Sequence, residues 1–132
     1  LAAGLKTEEF ANSFVQVIGD GKLVFTYPSG IFGTGTKVDV VDNVTNEGKS
    51  TYYIVIFGDV NGDGNIDNID AGAIVDVENK VGTWDTTLDA SFIKAGNING
   101  DINLDSIDAG IAIDFENDKI NIDQVTGVQS QL

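Results

Sequence analysis

Oxygen-bearing side chains stand at positions 1, 3, 5, 9 and 12 of residues 59–70, as Asp59, Asn61, Asp63, Asp67 and Asp70, with Gly64 at position 6. A hard cation such as calcium takes six to eight oxygens at roughly 2.3–2.6 Å, and a twelve-residue loop curling around the ion supplies them from alternating positions. In that arrangement Asn65 adds its backbone carbonyl at position 7, Asp67 reaches the ion directly or through water, and Asp70 closes the loop. Residues 97–108 repeat the pattern 38 positions on, with Asn97, Asn99, Asp101, Asn103, Asp105 and Asp108. The match continues past the loops, because Ala71, Gly72, Asp76, Glu78 and Asn79 fall on Ala109, Gly110, Asp114, Glu116 and Asn117. Internal duplication is therefore the organising fact of the chain. Ile66 and its counterpart Leu104, at position 8, are expected to join the loops as a short strand bridge.

The spacing predicts two calcium ions held unequally. Loop one carries four carboxylates and loop two three, since Asn97 replaces the aspartate at position 1. Fewer charges weaken binding. Ile102 stands where loop one has Gly64, and a β-branched residue forced to positive φ costs about 1–2 kcal/mol. The second site is expected to be the weaker.

Composition excludes several alternatives. Twenty-one Asp and Glu against 7 Lys, with no Arg, give a net charge of −14, which two calcium ions would reduce to −10. Such a surface repels nucleic acid and anionic membrane. The 132 residues, 42% apolar, suffice for a packed core, and no apolar run of about 20 residues predicts membrane insertion. Without Cys there is no disulfide or thiolate chemistry, and without His general acid–base work falls to carboxylates that the calcium loops already claim. No catalytic residue is assigned and an enzyme is not expected. A chain beginning at Leu1 reads as processed or excised.

The elements around the loops divide the chain into a β-rich module, residues 1–57, and a calcium module, residues 58–132. Thr7 is expected to cap a short helix with Glu8 and Glu9 in its first turn and Phe10 and Phe14 one turn apart. Strands at 15–18 and 23–27 flank Gly19-Asp20-Gly21 as a hairpin, and strands at 36–41 and 51–57 flank a polar turn as a second. Gly33-Thr34-Gly35-Thr36 lacks the remaining residues of a dinucleotide turn or P-loop and reads as a turn entering a strand. Asn43-Val44-Thr45 fits a glycosylation triplet and is read as an exposed loop. A strand runs into loop one where a calcium sensor would place a helix, and the chain has no Met for a sensor's groove. Residues 88–95 form a linker helix with Leu88, Phe92 and Ala95 on one face, ending at Gly96. The fold class is α+β. Gly72 and Gly110 lie in the first turn of the helix after each loop, costing about 0.5–1 kcal/mol relative to Ala. They are expected to let the two helices pack closely, with close approach of a partner's backbone as the other reading.

The order loop, helix, linker helix, loop, helix resembles the dockerin family, calcium-dependent modules built from two loop–helix (F-hand) repeats that anchor proteins to cohesin domains in cellulosome-type complexes. The residues carrying the resemblance are 58–67 with Asp70 at position 12, Phe92-Ile93-Lys94-Ala95-Gly96, and Asn97-Ile98-Asn99-Gly100-Asp101. Residues 1–57 look like the small β-rich X-like modules that often precede dockerins. The resemblance implies a secreted or surface-attached bacterial protein, a scaffoldin or polysaccharide-degrading assembly, and a cohesin partner. It places the partner at loop positions 10 and 11 and the following helix face: Asn68, Ile69 and Val77 in the first repeat, Ser106, Ile107, Ile111 and Phe115 in the second. Each apolar one of these could equally serve the core. The Ser-Thr and Lys-Arg pairs of familiar dockerins are absent, which leaves the cohesin class open. The rival reading is a calcium-stiffened stalk or adhesin segment without a cohesin partner.

Overall fold

The computed structural model describes residues 19–27, 30–81, 90–101 and 103–132. The helix expected after Thr7, the strand at 15–18, Leu88 at the start of the linker helix, and Ile102 lie outside the described residues.

β-Branched and aromatic residues build an antiparallel sheet of β1 (Lys22–Thr26), β2 (Lys37–Val41) and β3 (Gly48–Tyr53), in the order β1-β2-β3. The second expected hairpin is present but shifted: β3 begins at Gly48 and stops at Tyr53, short of the expected 51–57. Its position follows from the turn. Asp42 accepts the amides of Val44 and Thr45 on one carboxylate oxygen, and Asn46 takes φ 58°, so the chain reverses at once. Residues 54–57 then leave the sheet, and Ile54 pairs instead with the turn before β2, through Gly35 N–H to Ile54 O (2.9 Å) and Ile54 N–H to Thr36 O (2.9 Å). That departure carries Ile56, fully buried, into the core.

The core belongs to the duplicated part: α1 (Asn68–Glu78), α2 (Ala90–Gly96) and α3 (Ser106–Glu116), closed by the hairpin β4 (Ile120–Ile122) and β5 (Gln129–Gln131). α1 packs against α3, and Ile74 and Ala112, equivalent in the two repeats, are both fully buried there. α1 and α3 each start from a capping box. Asp67 accepts from the Ile69 amide while Asp70 reaches back to the Asp67 amide, and Asp105 and Asp108 do the same for α3. Each ends alike, with Asn79 or Asn117 donating to the carbonyl four residues back and Lys80 or Asp118 at φ 57°. The capped helices and their ends thus repeat from 67 to 80 and from 105 to 118.

The expected bridge between Ile66 and Leu104 is not present as paired strands; neither residue is in a strand or bridge. Each lies instead over the glycine preceding its own loop: a Cβ on Gly58 would stand 2.7 Å from the Ile66 side chain, and one on Gly96 2.7 Å from Leu104. The expected close packing at Gly72 and Gly110 is also overturned. Both are exposed, and a Cβ on either would meet nothing within 4 Å. In the first turn this face of each helix looks outward, while Ala71 and Ala109 face the core.

Candidate metal centre

Loop one is drawn around two fully buried carboxylates. Asp59 Oδ1 accepts from Gly62 N–H (2.7 Å), and Oδ2 from Gly64 N–H (3.1 Å) and Thr34 N–H (2.9 Å). Asp70 Oδ1 accepts from Val60 (2.9 Å) and Asn61 (3.2 Å), and Oδ2 from Asp67 (3.0 Å). Between them Asn61 and Asp63 make turns in which each side-chain oxygen accepts an amide two residues on. Gly62 and Gly64 sit at φ 78° and 79°, which is why a glycine is required at position 6. Burial raises the carboxyl groups of Asp59 and Asp70 above the ordinary aspartate range, Asp70 to about 7, and their neighbours' charges add to the shift. The ion pairs among the described residues involve Lys37, Lys49 and Lys119 and touch neither loop.

Loop two repeats the frame with a different first residue. Asp108 is fully buried, accepts the Asn99 amide (3.1 Å) and the Asp105 amide (3.1 Å), and burial raises its carboxyl group as well. Asn99 and Asp101 repeat the turns of Asn61 and Asp63, and Asp101 and Asn103 are exposed. At position 1, Asn97 donates its side-chain N–H to the Asp101 carbonyl, while its Oδ1 is buried with no hydrogen-bond partner.

The donor set is entirely oxygen, which suits a hard divalent cation and no thiophilic metal. The orphaned Asn97 oxygen and the buried, cation-free pair Asp59 and Asp70 both fit a positive charge in the loops. In such a site Asp59, Asn61, Asp63 and Asp70, with the Asn65 carbonyl, would hold the first ion, and Asn97, Asn99, Asp101 and Asp108, with the Asn103 carbonyl, the second. Asp67 and Asp105 are occupied as helix caps, so their contribution would come through water. Among the described residues, no group of three or more acidic side chains is gathered into a preformed cluster. The carboxylates are spread over loop amides, and any ion would have to be met from amide and carbonyl oxygens as well.

The residues assigned to a partner divide into two kinds. Asn68, Ile69, Ser106 and Ile107 are exposed, Ile69 at 62% and Ile107 at 60%. Ile111 and Phe115 are half-buried against the core, and Val77 is half-buried. No helix among the described residues is long and apolar enough to cross a membrane.

Three bracing residues were not singled out from the sequence. The Gln124 side chain bonds both sides of the Phe57 backbone, accepting from its N–H (2.7 Å) and donating to its carbonyl (3.1 Å). Gln129 donates to Ile98 O (2.9 Å), so the C-terminal hairpin holds the entrance of each loop. Thr34 reaches loop one from the β-sheet side. A glutamine or threonine in a turn carries no periodic pattern that would mark it in advance. Comparison with protein-family models, curated proteins and solved structures finds no match.

Proposed function

We propose that the chain is a calcium-clamped docking module, in which two loop–helix units present a paired surface to a protein partner of the cohesin type. One observation carries the reading: Ile69 and Ile107, equivalent in the repeats, stand exposed at 62% and 60% beside the exposed, open Gly72 and Gly110. An isoleucine three residues before a helical glycine puts an apolar side chain and bare backbone on one face. Neither residue helps the fold at that position, and glycine costs helix stability, so the pair is best accounted for by a surface that approaches both helices closely. Calcium would hold each loop so that its helix starts at a fixed angle, and millimolar calcium outside a cell fills even weak sites, which suits a secreted or surface protein.

The test is capture from secreted and surface proteins by the calcium-loaded chain, elution with EDTA, and mass spectrometry. Elution of a cohesin-bearing protein supports the reading. Capture of nothing by a chain that stays folded with calcium favours the second reading, a stiffened segment of a longer extracellular protein. That alternative draws its support from the braces Thr34, Gln124 and Gln129, which tie the turn before β2 to loop one and the C-terminal hairpin to the entrances of both loops.

A further inference from the structure

The turn at residues 33–36 lies directly on loop one. A Cβ on Gly33 would stand 2.3 Å from the Gly62 carbonyl oxygen and 2.8 Å from the Gly64 nitrogen, so only glycine lets the two turns touch. Thr34, fully buried, uses its hydroxyl to accept from Ile56 N–H (3.0 Å) and donate to Ile56 O (3.2 Å), which fixes the turn to the segment entering loop one. Thr36, also fully buried, accepts from Gly33 N–H (3.1 Å) and holds the turn's shape. The outcome of this bracing is a bond from the turn to the carboxylate at loop position 1, from Thr34 N–H to Asp59 Oδ2 (2.9 Å). Loop two receives no such bond among the described residues, where Asn97 Oδ1 is left without a partner.

We infer that Thr34 is a positioning residue for the first calcium site, its backbone amide fixing the carboxylate at loop position 1, so that the β-sheet and site one respond to the ion as one unit. The inference rests on the calcium reading above. Three amides from two parts of the chain hold Asp59 in one orientation, so binding there freezes less side-chain motion than at a free carboxylate. Linkage makes the coupling reciprocal: whatever affinity calcium gains from the turn, the docking of the turn gains from calcium. The sequence alone predicts that chelation loosens residues 58–123 more than residues 1–57. The Thr34 bond instead predicts that residues 33–56 feel the ion.

The experiment uses the full chain, 15N-labelled, with calcium itself as the probe. The Gly64 amide follows site one and the Asn103 amide site two. Calcium is expected to slow exchange of the Gly35, Thr36 and Ile54 amides by about tenfold or more. Gly33→Ala is expected to weaken site one by about tenfold and leave site two within about twofold. Gly48→Ala, in the same sheet with open space around it, should change neither site. A Gly33→Ala chain that binds at Gly64 like the wild type overturns the inference. So do wild-type Gly35, Thr36 and Ile54 amides that ignore calcium while Gly64 responds, a result that decides the matter even if Gly33→Ala does not fold. If calcium moves neither Gly64 nor Asn103, the calcium reading itself fails and the coupling falls with it.

Discussion

Asp70 gives the calcium-free protein an inverted pH response. Both its oxygens face loop amides in the interior, and burial, with the charge of Asp59 added, pushes its carboxyl up to about 7 from an ordinary 3.8. Between those values the fold keeps a proton that the unfolded chain has released, so the stability present at low pH is lost as the pH rises through the folded value. Carried whole, a change of that size is worth about 4 kcal/mol, and water penetrating the loop reduces the expected effect to about 2 kcal/mol. The carboxyl groups held below the usual range, Asp39 by the Thr51 hydroxyl, Asp42 by the Thr45 amide and Asp123 by the Thr126 amide, act below about pH 4, and Asp59 and Asp108, which burial raises as it does Asp70, share the window and the sign of the effect. The assay is urea unfolding in EDTA at about pH 5, 6.5 and 8. Asp70 should account for a loss of about 1 kcal/mol across that range, the rest of its effect falling below about pH 5, and Asp70→Asn, which has no proton to release, should remove that share of the slope while Asp59 and Asp108 keep theirs. Excess calcium should reverse it, because the ion demands the ionised carboxylate that the proton occupies. A wild-type chain as stable in EDTA at pH 8 as at pH 5 refutes the argument.

Three further outcomes follow from the helices. Ile69→Ser and Ile107→Ser should each leave partner binding within about tenfold if either repeat can serve alone, and the double variant should abolish it; a single change that abolishes capture excludes interchangeable use of the two repeats. Gly72→Ala with Gly110→Ala should raise stability by about 0.5–1 kcal/mol per site in thermal unfolding while weakening capture, and unchanged capture would remove the backbone-approach argument. Ile74→Ala, at a fully buried position where α1 meets α3, should cost about 2–5 kcal/mol in the same measurement, and a cost under about 1 kcal/mol would mean the helix pair is not the core.

The loops and the helices after them were legible because their residues answer to local rules. Gly at position 6 of loop one supplies a positive φ, while Asp at positions 9 and 12, which the sequence reads as ion ligands, also builds the capping boxes that start the helices. What escaped is a local turn too short to carry a periodic pattern and a contact between residues far apart in sequence. Asp42-Asn43-Val44-Thr45 and Asp123-Gln124-Val125-Thr126 build the same turn: in each, the aspartate accepts the amides two and three residues on, and the threonine hydroxyl accepts the amide two residues after it. The first reads from the sequence as a polar turn with a glycosylation triplet on an exposed loop, and the second carries no sequence signal, because so short a hairpin as β4-β5 has almost no alternating pattern. Thr34 was placed in a turn, correctly, but its partner Asp59 lies 25 residues away and nothing local announces it.

The two repeats differ at some buried positions and agree at two exposed ones, and that exposed agreement bears on function. Among buried equivalents, Asp70 and Asp108, and Ala71 and Ala109, are kept, whereas Asp59 faces Thr34 where Asn97 has no such donor, and Ile74 stands where the second repeat has Ala112. The Asp59 difference suits the turn before β2, which lies beside loop one alone. At the surface Ile69 and Ile107 are identical and almost equally exposed, and Gly72 and Gly110 are identical and open. Packing cannot account for that agreement, since these positions touch little, and helix stability argues against the glycines. A surface used twice, or used in either of two orientations related by a rotation of about 180°, would account for it. The Ile69 and Ile107 variants, made singly and together, separate those two uses.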